Sequence, residues 1–399
     1  MTVQMQPRSR EATKKISLTS CFRVFVVAFL ACAALADAQP QSFFPAKDWE
    51  SIEKAESVGF SSERLAAVGA WVSTLDTTAM MVVVGGRTLF AYGDVTHLSY
   101  LASGRKSILS MLYGRHVEKG AIALDRTLAD LKFTDVGGLL PRERDATIQQ
   151  LLTARSGVYH PASNGGDDLA HAPPRGSQQP GAHFLYNNWD FNAAGAVFER
   201  LTGRDIYDAL ETDLAVPLGM QDFDRSRQVK SGNLEASQYL AYPVVLSTRD
   251  MARVGLLALH NGRWGDRQIV PAEWMRRTTR LVSPLADMDA AFDDSPPTAG
   301  RWGYGYLWWV WDPLDASDPL AGAFTAWGVG GQYITVVPKL DMVVAHKTDP
   351  STRAQPEARS GQVPSTRAET VARSGQARNA VTARQYDVML RMLVEAAAR

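Results

Sequence analysis

The chain has 399 residues, of which 45% are hydrophobic and 21% are charged. This is the composition of an ordinary globular protein, and the length suits one large domain or two subdomains. The 42 Lys and Arg residues balance the 42 Asp and Glu residues, so the formal net charge is zero. Because no basic stripe accompanies this balance, we expect no nucleic-acid partner and no binding to an anionic membrane surface.

The first 38 residues have the order of a secretory signal peptide. A basic leader is followed by an apolar run of 13 residues, Val24 to Ala36, and small residues close the segment at Ala36-Asp37-Ala38. The run is shorter than the roughly 20 residues that span a bilayer. We therefore expect cleavage after Ala38, export to the periplasm or the medium, and no stable membrane span afterwards. An uncleaved membrane anchor is the alternative.

Cleavage at that position removes both cysteines of the chain, Cys21 and Cys32. A mature chain without cysteine has no disulfide, no thiol nucleophile and no cysteine-based metal site. His160, His171 and His183 lie in or near one long loop but lack the tight spacing of a zinc site. We interpret them as histidines on the rim of a site, and we predict neither a metal nor a cofactor.

In chain order, the predicted fold begins with a helix, a hairpin and a second helix. Gly59 to Leu75 carries apolar residues at helical spacing. Two β-type runs follow, Ala79 to Val84 and Thr88 to Tyr92, and Gly85-Gly86-Arg87 between them predicts a hairpin turn. From Ser103 to about Lys119 the apolar residues return to helical spacing.

The middle of the chain, roughly residues 120–280, predicts a mostly helical subdomain. Its candidate helices are Ile148–Thr153, Phe191–Leu201, Ile206–Leu214, Thr248–His260 and Pro271–Thr279. Within this region Ser156–Pro180 is rich in Gly, Pro, Ser, Asn and His and predicts a long irregular loop. Loops of this length in a compact domain are usually functional or disordered.

Strand patterns return late in the chain, at Tyr304–Trp311, Ala323–Trp327, Gln332–Val337 and Met342–His346. Because strands lie at both ends and helices between them, we predict an α/β (α+β) fold in which both chain ends build one subdomain beside an inserted helical one. The tryptophans within Arg301–Trp311 are expected to pack the sheet against helices, or to line an apolar pocket.

A repeat interrupts the C-terminal part of the chain. PSTRAQPEARSGQ at 350–362 recurs as PSTRAETVARSGQ at 364–376. The segment lacks aromatic residues and is rich in Arg, Ser and Gln, so it buries too little apolar surface to order itself. We predict a domain over 39–349, a disordered insertion over 350–381, and a last helix of the same domain within 382–399.

The first candidate site element is Ser103-Gly104-Arg105-Lys106, a Ser-x-x-Lys tetrad at the start of a predicted helix. A spacing of three puts the hydroxyl and the amine on one helical face. Serine needs a neighbouring base to act as a nucleophile, and lysine can serve if burial and neighbours favour its neutral form. Taken alone, the tetrad usually indicates a capped surface helix.

Two later elements add to the tetrad. Tyr186-Asn187-Asn188 supplies a phenol that can carry protons and an amide that can hold a substrate carbonyl or the lysine; turn-forming asparagines beside a half-buried tyrosine are the structural alternative. Ala326-Trp327-Gly328-Val329 ends a strand and is followed by Gly330-Gly331-Gln332. Glycine there lets a substrate approach the strand closely, although a plain hairpin has the same pattern.

The order and separation of these three elements resemble those of the penicillin-recognising serine hydrolases, which include class C β-lactamases, D,D-peptidases and esterase relatives. Other matching stretches are residues 147–157 (TIQQLLTARSG), Pro217-Leu218-Gly219-Met220, residues 247–253 (STRDMAR) and Gly262-Arg263-Trp264. The resemblance runs from about Gly59 to His346. It implies a β-lactamase/transpeptidase-like fold, an antiparallel sheet flanked by helices.

The resemblance also implies roles for individual residues. Ser103 would be the acylated nucleophile, Lys106 would take its proton, and Tyr186 would relay protons during acylation and deacylation. Asn188 would help to fix the bound acyl group. The backbone N–H of Val329 would complete an oxyanion hole with that of the nucleophile.

This sequence departs from the pattern in its third element. The β-lactamase and peptidase members carry Lys-Thr-Gly or His-x-Gly where Ala326, Trp327 and Gly328 stand here. Without that cation a carboxylate-bearing substrate loses a charge-assisted contact of ~1.5–3 kcal/mol. The departure favours a small, largely neutral ester or amide, and the Gly-Gly-Gln ending looks closest to the 6-aminohexanoate-dimer-hydrolase-like members.

Two alternatives remain open from the sequence. The first is a D,D-peptidase or weak β-lactamase, which a slowly released penicillin adduct on Ser103 would reveal. The second is a catalytically idle relative that binds peptidoglycan fragments or a protein partner. The presence of Ser103, Lys106 and Tyr186 together argues against an idle protein.

Overall fold

A tight hairpin supplies the first two strands of the sheet. β1 (Ala79–Val84) and β2 (Arg87–Gly93) are antiparallel, and Gly85 and Gly86 between them both have positive φ, 56° and 78°. A Cβ on Gly86 would lie 1.9 Å from the carbonyl oxygen of Phe43, so only glycine fits there. The turn predicted at Gly85-Gly86 is confirmed.

Both ends of the chain contribute to one seven-stranded antiparallel sheet. Two short pairs lie outside it, β3 (Ser99–Tyr100) with β4 (Val245–Leu246) and β5 (Arg263–Trp264) with β6 (Arg267–Gln268). The other strands are β7 (Trp302–Tyr304), β8 (Trp309–Trp311), β9 (Phe324–Gly328), β10 (Gln332–Val337) and β11 (Met342–Lys347). The order in the sheet is β2-β1-β11-β10-β9-β8-β7. The predicted antiparallel sheet built from both chain ends is therefore confirmed.

Helices cover both faces of this sheet. The helices of the described ranges are α1 (Ser62–Ser73), α2 (Arg105–Glu118), α3 (Ile148–Leu152), α4 (Asn188–Thr202), α5 (Ile206–Leu210), α6 (Val216–Leu218), α7 (Thr248–Leu259), α8 (Ala272–Thr278) and α9 (Ala383–Ala396). On one face, Tyr386 of α9 stacks on Tyr333 of β10, with ring centroids 3.6 Å apart. On the other, Gly255 of α7 lies so close to the sheet that a Cβ would meet Val343 at 2.3 Å and Ile334 at 3.0 Å. Tyr333 and Ile334 are consecutive on β10, and consecutive strand residues face opposite ways.

The structure corrects two predicted elements. Tyr304–Trp311 is not one strand, because the backbone turns between β7 and β8, where Leu307 has a φ of 62° and the N–H of Gly305 donates to the carbonyl of Trp308. The predicted helix Ile206–Leu214 ends as an α-helix at Leu210 and continues as a π-helical turn. Apolar periodicity shows neither a local turn nor a change in helix type.

The computed structural model describes residues 1–2, 43–288, 300–349 and 380–397. Residues 43–399 cluster as one unit, and residues 1–42 are a separate one. The predicted signal peptide and nearly all of the predicted insertion lie outside the described residues. Within the described ranges, no helix is long and apolar enough to cross a membrane.

Candidate active site

Ser103 lies in a short 3-10 turn, Ala102–Gly104, which leads directly into α2. Ala102, the residue before it, has a φ of 49°, a left-handed conformation that costs an alanine strain energy. The end of β9 presses on this turn: a Cβ on Gly328 would lie 2.4 Å from the Leu101 carbonyl oxygen and 3.0 Å from Ala102 Cβ. A glycine in the third motif thus brings the strand end against the backbone that carries Ser103.

Lys106 connects the serine to the tyrosine of the second motif. It follows Ser103 by one helical turn, and its Nζ lies 3.1 Å from Ser103 Oγ and 2.6 Å from the hydroxyl of Tyr186. The Lys106 side chain is 1% exposed, and its Nζ lies 4.1 Å and 4.2 Å from the ring centroids of Tyr186 and Phe191. The three predicted reacting groups therefore lie within hydrogen-bonding distance of one another, in a nearly dry environment.

The protonation states follow from burial. Loss of solvent lowers the pKa of Lys106 well below its ordinary value, and the neighbouring positive charge of Arg105 lowers it further. Burial raises the pKa of Tyr186, and a hydrogen bond with Ser103 opposes this rise. At neutral pH these shifts favour an uncharged amine that can accept a proton and a phenol that retains its own.

The first turn of α4 places the Tyr-Asn-Asn motif. Asn187 is the N-cap, because its Oδ1 accepts from the N–H of Trp189 at 2.9 Å while its Nδ2 donates to the Val158 carbonyl at 2.6 Å. Asn188 is buried, and its Nδ2 donates to the carbonyl of Gly165 at 2.9 Å. Its Oδ1 has no hydrogen-bond partner within the described part of the chain, which leaves an acceptor available.

The predicted long loop docks on this motif and brings two carboxylates that the sequence analysis missed. Asp167 accepts from the N–H of Asn188 at 2.9 Å, and the N–H of Asp168 donates to the Tyr186 carbonyl at 3.0 Å. Burial and the charge of Asp167 raise the pKa of Asp168 to about 6. Both carboxylates oppose the lowering of the Lys106 pKa. The adjacent acids Asp167-Asp168, the only acidic residues in the sequence of the loop Ser156–Pro180, were the available signal.

An aromatic wall extends from Tyr186. The ring of Trp309 lies 5.4 Å from that of Tyr186, and the half-buried Trp327 lies 5.0 Å from Trp309. Trp302 and Trp311 contact each other instead, at 5.0 Å. Trp309 therefore lies between Tyr186 and Trp327, whereas Trp302 and Trp311 pack on each other across β7 and β8.

Buried polar groups at the end of β11 hold the turn between β9 and β10. His346 Nδ1 lies 2.8 Å from the Gly331 carbonyl, and Gln332 Nε2 donates to the Thr348 carbonyl at 2.6 Å. Val329, which the sequence analysis places in the oxyanion hole, lies in this turn and is 61% exposed. Its backbone is therefore held while its side chain remains in solvent.

The histidines of the loop region do not form a catalytic or metal-binding set. His160 is buried, not on a rim, and its ring nitrogens lie 2.8 Å from the Pro161 carbonyl and 2.7 Å from the Val136 carbonyl. The predicted rim position of His160 is wrong, because a loop position alone does not indicate exposure. In the described ranges, no three His, Cys, Asp or Glu residues form a cluster suited to a metal ion.

Comparison with known proteins identifies the family and the fold of the chain. A family model described as "Beta-lactamase" matches residues 71–359. Monacolin J acid methylbutanoyltransferase of Aspergillus terreus is 32% identical over 153 residues, which cover 31% of this chain and 36% of that protein. The chain thus matches about a third of the length of this curated relative.

Solved structures share the fold at low sequence identity. A proposed 6-aminohexanoate-dimer hydrolase from Bacillus anthracis superimposes with a TM-score of 0.55 at 18% identity, over 77% of this chain and 84% of that one. EstCE1, a hydrolase with promiscuous acyltransferase activity, gives a TM-score of 0.52 at 16% identity, over 74% of this chain and 94% of that one. These similarities show a β-lactamase/transpeptidase-like fold.

Proposed function

Because this chain belongs to the β-lactamase family of serine hydrolases, we propose that it cleaves a small ester or linear amide through an acyl-enzyme on Ser103. The observation that carries the proposal is the position of Lys106 Nζ, 3.1 Å from Ser103 Oγ and 2.6 Å from the Tyr186 hydroxyl. A nucleophile in hydrogen-bond contact with a base, and a base in contact with a third polar group, is the arrangement required for nucleophilic catalysis.

In acylation, Ser103 Oγ forms a bond to the substrate carbonyl carbon while its proton passes to Lys106 Nζ. The bond from that carbon to the leaving oxygen or nitrogen then breaks, and the leaving group takes the proton from Lys106 through the hydroxyl of Tyr186. In deacylation a water attacks the acyl carbon and gives one proton to Lys106. The bond from that carbon to Ser103 Oγ then breaks, the carboxylic acid leaves, and Oγ takes the proton back from Lys106. The low pKa of Lys106 and the high pKa of Tyr186 suit these directions of transfer.

The developing oxyanion is assigned to the backbone N–H groups of Ser103 and Val329. The close approach of Gly328 to Leu101 and Ala102 supports this assignment, because it brings the end of β9 beside the nucleophile turn. Asn188 Oδ1, which lacks a partner among the described residues, suits a role in holding an N–H group of a bound acyl chain. Trp327 would contribute an apolar wall.

Charge favours a neutral substrate. Ala326 and Trp327 stand where β-lactamases and peptidases carry a cation, and Asp167 and Asp168 lie close enough to act on the charge of Lys106. A substrate carboxylate would therefore lack a partner and meet two acidic groups. This supports a neutral ester or amide over a penicillin or a cell-wall peptide terminus.

Acyl transfer to an alcohol is a second candidate. It is favoured by the similarity to a methylbutanoyltransferase and by the aromatic wall of Tyr186, Trp309 and Trp327, a surface suited to an apolar acceptor. The ratio of acid to ester formed from one acyl donor in the presence of added alcohols would distinguish hydrolysis from acyl transfer. Ester formed faster than acid at millimolar alcohol would indicate a transferase.

We further propose that the protein is exported. The proposal depends on the basic leader, the apolar run Val24 to Ala36 and the small residues that end at Ala38. N-terminal sequencing of the protein from the extracytoplasmic fraction is expected to begin at Gln39. Recovery of the full chain from the cytoplasm would contradict export.

The direct test is the intact mass of the protein after exposure to a fluorophosphonate. One adduct is expected on the wild type and none on Ser103→Ala. Ser110→Ala is the matched control, because Ser110 is a buried serine of α2, the helix that follows the Ser103 turn, and its hydroxyl lacks a partner among the described residues. It should be labelled like the wild type. An unlabelled wild type, shown by thermal unfolding to be folded, would overturn the proposed function.

A further inference from the structure

Arg105 is a buried cation that has no anionic partner among the described residues. It is 2% exposed, and its one hydrogen bond within the described part of the chain runs from Nη1 to the Ala102 carbonyl at 3.3 Å. Its Nε and Nη2 are buried and have no partner there. Burying a charge is costly unless it is paired, so an arginine in this state needs an explanation.

The groups around Arg105 do not neutralise it. Its guanidinium lies 5.0 Å from the ring centroid of Tyr242, and the other titratable groups acting on it are Tyr100, Tyr186 and Tyr207. Burial raises the pKa values of Tyr186, Tyr207 and Tyr242, so these phenols carry no negative charge near neutral pH. Among the described residues, no anionic group therefore balances the positive charge of Arg105.

The other buried arginine of the described chain shows what a structural role looks like. Arg253 donates to four backbone carbonyls, those of Pro45, Leu218, Ala46 and Lys47, at 2.7–3.4 Å. It also has the carboxylate of Asp250 nearby. Arg105 has neither kind of support, so holding segments together does not account for it.

Lys106, the next residue, is one of the groups on which this charge acts, and it is the candidate base. Two like charges in a low-dielectric environment disfavour each other, so the fixed guanidinium favours the uncharged amine. The charges that favour the ammonium form come from Asp167 and Asp168 of the docked loop, and the phenol of Tyr186 faces it from the segment before α4. The amine is thus placed between a cation on its own helix and two carboxylates from a loop.

We infer that Arg105 is a positioning residue for catalysis, whose buried and unpaired charge holds Lys106 in the neutral form that can accept the Ser103 proton. This inference rests on the proposed function, in which Lys106 is the base. It also explains the unpaired guanidinium, because a carboxylate partner would cancel its effect on the lysine.

The test is the pH dependence of the rate of fluorophosphonate labelling. Labelling requires neutral Lys106, so the rate falls as the pH drops through the pKa of Lys106. Arg105→Met removes the charge and keeps the apolar stem. The acidic limb of its pH–rate profile for labelling should therefore move to higher pH by about one unit. Arg105→Lys keeps the charge and should leave the limb in place. Arg105→Gln is a second uncharged variant if Arg105→Met does not fold.

A variant that is expected to shift the acidic limb in the opposite direction makes the test specific. Asp168→Asn removes a charge that favours the ammonium form, so its acidic limb should move to lower pH. Opposite shifts from Arg105→Met and Asp168→Asn cannot come from general damage to the fold. Unmoved limbs in folded variants, or an equal loss of rate at every pH in Arg105→Met and Arg105→Lys, would overturn the inference.

The outcomes that bear on the proposed function are distinct from these. A wild type that is unlabelled at every pH, or a Lys106→Met variant that keeps the wild-type acidic limb, would contradict Lys106 as the base. A labelled wild type whose limb depends on Lys106 but not on Arg105 would contradict the inference alone.

Discussion

Two lysines are buried to the same extent in the described chain, and they have different surroundings. Lys106 and Lys347 are each 1% exposed. Lys347, the last residue of β11, donates to the carbonyls of Ser99 and Leu246 at 2.7 Å and 2.5 Å, which joins the sheet to the β3–β4 pair. Burial lowers its pKa to about 7, and the charge of Asp349 opposes this change.

The comparison shows that burial alone does not make a base. Backbone carbonyls accept hydrogen bonds but exchange no protons, so the amine of Lys347 is confined to a structural role. Lys106 instead contacts the hydroxyls of Ser103 and Tyr186, which can both give and take a proton. The partners of a buried amine, and not its burial, thus separate a candidate catalytic lysine from a structural one.

The largest expected effect separates the two lysines directly. Lys106→Met should lower ester turnover by about a thousandfold, within the range for loss of a general base. Lys347→Met should keep turnover within about threefold, because its amine contacts no reacting group. The measurement is kcat/KM on a neutral p-nitrophenyl ester. Equal losses in two folded variants would contradict the distinction.

The second effect tests the hydroxyl partner of Lys106. Tyr186→Phe should lower turnover of the same ester by about a hundredfold, because it removes the hydroxyl assigned to proton transfer. Tyr113→Phe is the matched control, since Tyr113 is a buried tyrosine whose hydroxyl donates to the Ala194 carbonyl at 2.6 Å. An unchanged kcat in Tyr186→Phe would remove this residue from the mechanism.

The third effect concerns substrate charge. The ammonium of Lys347 is occupied by two carbonyls and cannot replace the cation missing from the third motif. An ester that carries a carboxylate should therefore have a kcat/KM about tenfold to a hundredfold below that of its neutral isostere. Asp168→Asn should reduce the difference in kcat/KM between the anionic and the neutral ester. A preference for the anionic ester would reverse the proposed substrate class.

The smallest effect on turnover comes from Lys347, whose role should appear in stability. In the unfolded chain the Lys347 amine has its ordinary pKa of 10.5. In the folded protein its pKa is about 7, so the amine loses its proton at a lower pH. The unfolded state therefore binds more protons between these values, and the free energy of unfolding gains a contribution as the pH rises through this window. Thermal unfolding of Lys347→Met should lack this contribution. An identical pH slope in wild type and variant would show that Lys347 keeps its proton in the fold.

The sequence predicted the fold because its signals were local and strong. The continuous apolar run Ala79–Val84 and the Gly85-Gly86 turn predict the observed hairpin, and the apolar periodicity after Ser103 predicts α2. The one strand predicted over Tyr304–Trp311 failed because its turn depends on contacts between distant segments. A Cβ on Gly305 would lie 2.5 Å from the carbonyl of Thr278, which no local pattern reveals.

The candidate site was predicted in part for the same reason. Ser103 and Lys106 share a helical turn, and a helical spacing of three determines their proximity. Asp167 and Asp168 were missed because their place beside Tyr186 depends on how a long irregular loop docks. The unpaired state of Arg105 was also hidden, since a sequence does not show whether a buried charge has a partner.

The measurement that tests the central claim most directly is peptide mapping of the protein quenched in acid during turnover of a neutral ester. We predict one acyl group on the peptide that contains Ser103 in the wild type. In Tyr186→Phe, where the relay is impaired, that acyl group should remain on the same peptide, and Ser103→Ala should carry none. Turnover without a covalent acyl group, or an acyl group on another residue, would contradict Ser103 as the nucleophile.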